Sequence, residues 1–248
     1  MEAEVFAEMA GLQDRHWWFV GRRRALSAII KSLRMRRGSE IVELGCGTGG
    51  NLKMLACLGN LQAMEDDAYA RKCAESLGIC RVHAGLLPSA KAFEGREFDL
   101  VCLLDVLEHI EDDVSALVSA SKLLSANGKV LITAPAYQLL WSSHDDMHHH
   151  FRRYNQRSMR ELIERSGLEV VRIGYFNCFL FAFVALVRFA KRLLGDKSSD
   201  VRVPGNLLNG ILAFVFSLER HFVGQRLFPF GTSVVAVASK PRTTPSCP

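Results

Sequence analysis

Ile41-Val42-Glu43-Leu44-Gly45-Cys46-Gly47-Thr48-Gly49-Gly50-Asn51-Leu52 is the stretch on which the fold turns. An apolar run ends in a cluster of glycines, and a helix-like segment follows. Gly45, Gly47 and Gly49 suit a tight turn whose backbone approaches a ligand, because glycine has no Cβ and tolerates positive φ. The spacing is G-x-G-x-G. The G-x-G-x-x-G of dinucleotide sites places a pyrophosphate on a helix N-terminus, and here the third glycine comes one residue too early for it. Glu43, two residues before the first glycine, would repel an anion and suits a cationic part of a ligand. The competing reading is a strand-to-helix turn whose glycines serve packing alone.

Downstream residues weigh against that bland reading. Glu40–Leu44 reads as a first strand, and 50–58 as a helix. Leu61–Met64 reads as a second strand ending in Glu65-Asp66-Asp67. In nucleotide-binding α/β folds an acid at this strand tip accepts hydrogen bonds from ribose hydroxyls. Glu65 takes that position best. Asp66 and Asp67 also suit the cap and first turn of a helix over 69–77. A third strand, 79–84, ends in Gly85-Leu86. A fourth, Phe98–Leu104, runs into Asp105-Val106-Leu107-Glu108-His109-Ile110, and a helix follows over about 113–124. Asn127-Gly128 makes a turn into a fifth strand, 129–133. Strands alternating with helices predict a parallel, doubly wound sheet.

The E-x-G-x-G-x-G stretch resembles motif I of the class I S-adenosylmethionine (SAM)-dependent methyltransferases. F-D-x-V…D-V-L-E-H-I resembles motif IV of the same family. The resemblance covers nearly the whole chain. It implies a Rossmann-like, seven-stranded doubly wound α/β sheet, SAM as methyl donor and S-adenosylhomocysteine (SAH) as product, with no metal expected. It implies cofactor contacts from Glu43, Gly45, Cys46, Gly47, Gly49, Glu65, Asp66, Asp105 and Val106. Asp105 and His109 are expected near the methyl group or the acceptor, although Glu108 and His109 also suit the start of the next helix. The family commonly has Gly-Asp after the third strand, where the aspartate holds the adenine amino group. Gly85-Leu86 departs from that, which leaves adenine to backbone groups and apolar contact.

Residues 140–154, Leu-Trp-Ser-Ser-His-Asp-Asp-Met-His-His-His-Phe-Arg-Arg-Tyr, are the most unusual. Six of the eight residues from 143 to 150 are His or Asp, a density that calls for chemistry. His144 and His148 have the i, i+4 spacing of a helical metal pair, but no Cys or Glu completes a zincin pattern. A catalytic loop after the fifth strand is the preferred reading. In it, a base such as His144, His150 or His109, with Asp145 as the nearby carboxylate, removes a proton from the acceptor. Arg152 and Arg153 suit a bidentate hold on an anionic group. This loop, and the His16-Trp17-Trp18-Phe19 string, resemble one bacterial branch of the same methyltransferases. His16, Trp17 and Trp18 either close over the site or pack as core.

The remainder bounds the partners. The 248 residues, 49% hydrophobic and 23% charged, suit a globular chain. Net charge is +5, with Arg22, Arg23, Arg24, Lys31, Arg34, Arg36 and Arg37 crowded before motif I. Such a block most often is a solvated helix face. Seven scattered cysteines without CxxC pairs, mostly within apolar runs as buried thiols are, predict a reducing, cytoplasmic setting. The N-terminus lacks the apolar core of a signal peptide. About 55 residues separate the sixth strand, 169–175, from the last, 231–240, far more than a usual loop.

The expected organisation is a helical cap over 1–37 and a SAM-binding domain over 38–240. An apolar helical lid is expected over 176–228, and a polar tail over 241–248. The lid helices, 176–223, suit a bulky or lipid-like acceptor, a homodimer contact, a membrane surface or a shared core. The expected activity is methyl transfer to an O or N nucleophile of a small, lipid-like or sugar-bearing metabolite. The rivals are a catalytically silent SAM-binding subunit and a nucleic-acid or protein methyltransferase. No nucleic acid is favoured, because D-V-L-E-H stands where N-P-P-Y would handle a base.

Overall fold

The computed structural model describes residues 3–193 and 204–241. The polar tail after Pro241, which includes Cys247, and the linker before Pro204 lie outside the described residues. Seven strands form one sheet, β1 (Glu40–Leu44), β2 (Asn60–Glu65), β3 (Val82–Ala84), β4 (Phe98–Leu104), β5 (Leu124–Pro135), β6 (Glu169–Phe176) and β7 (Ser233–Ser239), in the order β3-β2-β1-β4-β5-β7-β6. β1 to β5 are parallel, and β7 enters antiparallel between β5 and β6. The order reverses between β1 and β4, so a crevice opens at their carboxyl ends, where ligands of such sheets bind.

Strand alternation supplies both faces. Val42, Leu44, Val101, Leu103, Val130, Ile132, Val234 and Ala236 point to one side and pack with Leu117 of α5 (Asp113–Lys122) and Ile163 of α7 (Gln156–Arg165). Ile41, Leu100, Cys102, Leu131, Val235 and Val237 point to the other. There they meet Leu26, Ile29 and Ile30 of α2 (Trp17–Ser32) and Phe216 of α9 (Asn206–Leu218). Each Val, Leu, Ile or Phe among them contributes about 1.5–3 kcal/mol on full burial. Gly21 lets α2 and α9 touch, since a Cβ there would lie 2.3 Å from the Phe216 ring. α1 (Ala3–Leu12) precedes α2, and α8 (Phe181–Leu193) precedes α9.

β1 and β4 have the expected bounds. Elsewhere the structure moves edges. β3 is only three residues long. β5 starts at Leu124, with Phe98 opposite Leu124 but Leu100 already opposite Lys129. The Asn127-Gly128 turn is thus looped out of a longer strand. α7 begins two residues before the expected start, because Asn155 and Ser158 form a reciprocal capping box. α3 (Leu52–Ala56) is short, since Gly49 and Gly50 belong to the loop. α4 (Ala68–Ser76) starts on Asp67, whose side chain accepts from the Ala70 N–H at 2.8 Å. α6 (Ser143–Met147) puts a helical turn into the His/Asp loop. The thiols also correct the expectation: among the described residues only Cys46 and Cys102 are buried, and Cys57 is exposed.

Candidate active site

The crevice is a continuous cavity of about 880 Å³, within the range of small-molecule sites. One end is built by the glycine loop. Gly45 and Gly47 have φ of +77° and +54° and line it with Cys46, Thr48 and Asn51. A Cβ at Gly45 would also press to 2.9 Å on Val106, so the loop backbone comes close to the end of β4. Glu65 stands at the tip of β2. Its carboxylate accepts the Gly47 N–H at 2.7 Å and the Asp67 N–H at 3.0 Å. Two backbone donors thus hold an acid at the cavity wall with lone pairs remaining. Burial raises its pKa, against those hydrogen bonds. Asp66 lines the same end, as do Gly85, Leu86 and Leu87, an apolar wall where an aspartate was absent from the sequence.

The floor between the ends is Asp105, at φ +60°. Left-handed backbone at a non-glycine residue is uncommon and is tolerated best by Asp and Asn. Here two contacts fix it: the Arg22 guanidinium at 2.8 Å and the Thr133 hydroxyl, donating at 2.9 Å. Arg22 also donates to Asn51 and Thr133 and lies 5.2 Å over the Trp18 ring. Arg22 is buried, which corrects the solvated-face reading for this arginine; Arg24 is exposed. His16 caps α2 and lines the cavity with Trp17, Trp18 and Phe19.

The other end gathers histidines. His109, His148 and His150 line it, with the His109 and His150 rings 4.5 Å apart at 82°. His150 Nδ1 is 2.9 Å from Asp145 Oδ1. Asp145 is fully buried and gripped twice by Arg153, Nε to Oδ1 at 2.8 Å and Nη2 to Oδ2 at 2.7 Å. Burial disfavours the Asp145 carboxylate, but the His150 and Arg153 hydrogen bonds outweigh it and hold the pKa well below the usual range. Asp145 therefore orients His150 from behind and does not line the cavity. Arg153 has its donors on Asp145 and the Ala136 carbonyl. Arg152 has its own on Asp113 and the Glu111 carbonyl. This corrects the anion-binding reading of both arginines. His144 lies in α6, and its side chain is outside the described residues.

Glu108 was legible only as a helix start, yet it is fully buried at the cavity wall and neither carboxyl oxygen accepts a hydrogen bond among the described residues. Burial, then the charge of Asp105, pushes its pKa well above the carboxylate range. Such an unsatisfied group costs about 1–3 kcal/mol. The remaining walls of this end come from Phe183, Val184, Val187 and Arg188 of α8 and Leu208 and Leu212 of α9.

A family model described as a methyltransferase domain matches residues 19–173, more than half of the chain. The chain belongs to the methyltransferase-domain family. The sheet order and switch-point cavity are those of its class I, Rossmann-like fold. The methyltransferase domain is also 27% identical over 162 residues to a ubiquinone biosynthesis O-methyltransferase of Dinoroseobacter shibae, covering 57% of this chain and 64% of that protein. The chain thus matches less than two thirds of that relative's length. Among solved structures, a chain of the complex formed by the Haloferax volcanii Trm112 methyltransferase activator has TM-score 0.62 at 17% identity, covering 97% of this chain and 96% of that one. The plantazolicin methyltransferase, solved with a desmethyl analogue and SAH, has TM-score 0.59 at 12% identity, covering 96% and 88%.

Two expected contacts of this methyltransferase domain lie off the cavity. A Cβ at Gly49, φ +89°, would meet Leu77 at 2.7 Å and Ala74 at 3.2 Å. That glycine packs the loop onto α4. Glu43 is fully buried beneath the loop, where it accepts from the Asn51 side chain at 2.7 Å. It braces Asn51 and does not itself line the cavity. Burial raises its pKa to about 7, against the Asn51 hydrogen bond and the Arg22 charge.

A raised carboxylate favours the folded state fully below its unfolded pKa, and that stability is lost as pH rises through the folded value. For Glu43 the window runs from 4.5 to about 7. Glu43→Gln is therefore expected to be more stable than the parent at pH 8, by an amount on the order of 3 kcal/mol, and to equal it near pH 4. Urea unfolding at the two pH values checks this. A difference that does not change with pH would contradict the assignment.

Proposed function

We propose that the chain is a SAM-dependent methyltransferase that methylates an oxygen or nitrogen nucleophile of a small, apolar or lipid-linked acceptor. One observation carries the reading: a single cavity joins the Glu65 and glycine-loop end to the histidine end. SAM's ribose would meet Glu65, its adenine the apolar wall at Leu86 and Leu87, and its methionine part the loop beside Asp105 and Asn51. The methyl group would then face the histidine end. In-line attack on the methyl carbon forms the new bond as the carbon–sulfur pair returns to sulfur, giving SAH. Holding the two reactants in one cavity supplies much of the rate. With Asp145 on Nδ1, His150 acts on the acceptor through Nε2, and it activates the nucleophile.

The apolar side chains of α8 and α9 support an apolar acceptor. Their outer faces are apolar too: Leu186, Phe189, Leu207 and Phe214 are each more than 60% exposed. No helix among the described residues is long and apolar enough to cross a membrane. Helices of this kind suit an interfacial position, with the apolar face among lipid tails, from which a lipid-linked acceptor enters between them.

The test is incubation of the protein and methyl-labelled SAM with a total cell extract, followed by partition between water and organic solvent. Label is expected in an organic-phase product, with SAH formed in equal amount. Label confined to water-soluble products would contradict the apolar acceptor. SAM binding with no labelled product from any fraction would instead favour a silent subunit.

A further inference from the structure

At the histidine end, one donor atom from each of Glu108, His109 and His150 lies within 4.8 Å of the other two. Ligands of one first-row cation sit about 2–2.2 Å from it, so small side-chain rotations would bring the three onto a common centre. Two His and one carboxylate, with positions left for other ligands, is a recognised donor set for such metals.

Three further observations bear on this trio. The first is Glu108 itself, fully buried, aimed at the cavity, with both oxygens unsatisfied among the described residues. Buried polar atoms of this kind call for a partner, and a cation would satisfy both oxygens and hold the carboxylate ionised. The second is the Asp145–His150 hydrogen bond on Nδ1, which fixes the tautomer that presents a lone pair on Nε2. A carboxylate behind a ligating histidine is the usual outer support of a metal site, and Arg153 holds that carboxylate in place. The third is position: all three residues line the cavity that also holds Asp105 and the glycine loop.

We propose that Glu108, His109 and His150 bind a divalent first-row cation such as Zn²⁺ or Mn²⁺, which ligates the hydroxyl of the methyl acceptor. This deepens the methyltransferase reading and rests on it for the acceptor's role. The cation draws electron density from the hydroxyl oxygen and lowers its pKa. The proton leaves to solvent, the oxygen attacks the methyl carbon, and the carbon–sulfur pair passes to sulfur as SAH departs. His150 then activates the acceptor through the cation, and Glu108 gains the partner it lacks.

The experiment is calorimetric titration of chelator-stripped protein with Zn²⁺ and with Mn²⁺, without SAM or acceptor. One saturable site per chain is expected. Glu108→Gln and His109→Asn should abolish it, Asp145→Asn should weaken it about 10–100-fold, and Glu111→Gln, an exposed neighbour, should leave it intact. Mg²⁺, which prefers oxygen ligands, should bind more weakly. Circular dichroism melts in chelator establish that each variant is folded; Glu108→Gln replaces an unsatisfied group with a near-isostere and should melt no lower than the parent. No saturable site in the parent, or a site unchanged in both Glu108→Gln and His109→Asn, overturns the proposal. SAM affinity in chelator separates the two readings. If SAM binds and turns over equally with and without chelator, the cation is refuted and the methyltransferase stands. If SAM does not bind, the donor reading itself has failed.

Discussion

Glu65→Ala is expected to weaken SAM binding by about a hundredfold, while Asp67→Ala leaves it within about twofold. The difference follows from what the two acids do. Glu65 lines the cavity with its carboxylate held by two backbone N–H groups, one of them from Gly47 in the loop. Hydrogen bonds to a charged group contribute about 1.5–3 kcal/mol each, and two ribose hydroxyls would lose their acceptor together. Removing the side chain also frees the Gly47 N–H that shapes the loop. Asp67 instead caps α4 through the Ala70 N–H. Its loss should cost about 1 kcal/mol of stability without touching the ligand. Calorimetric SAM affinities and melting temperatures of both variants separate these effects. Equal affinities would remove the ribose assignment.

His150→Ala is expected to lower turnover by about 10²–10⁴-fold and to leave SAM affinity near the parent value. The ring belongs to the histidine end of the cavity, where it meets His109 and is positioned by Asp145. It is a cleaner target than Asp145. Truncating Asp145 would strand the buried Arg153 charge, and breaking such a pair costs about 3–5 kcal/mol, so lost activity there would mix chemistry with unfolding. Single-turnover rates at saturating SAM are the measurement. A rate unchanged with the physiological acceptor would exclude His150 from the chemistry.

The glycine-loop end of the cavity was legible because its signals are local. The glycine spacing, the acid at Glu65 and the strand patterns of β1 and β4 each depend on a few consecutive residues, and they reappear at the switch point of the sheet. Where local patterns carried two meanings, tertiary structure decided. Glu43 sits one strand residue before the loop and reads as a ligand contact, yet it lies on the loop's inner side and holds Asn51. Gly49 serves packing on α4, which no nearby residue announces.

The histidine end was only half legible. The His/Asp density marked residues 143–150 correctly as unusual, but spacing along the chain could not show that Arg153 turns inward to grip Asp145. Nor could it show that Arg22, within a run of arginines, is buried against Asp105 and Thr133 from 83 and 111 residues away. Glu108 is the clearest case. In sequence it suits a helix start; in the fold it is a buried carboxyl facing two histidines, one of them 42 residues further along.

The central claim, that the switch-point cavity is a SAM site, is tested most directly by titrating the purified chain with SAM and with SAH in a calorimeter. One site per chain is predicted for each, in the micromolar to submillimolar range usual for enzyme ligands, with SAH competing for the SAM site. Absence of saturable SAM binding by protein shown to be folded would contradict it.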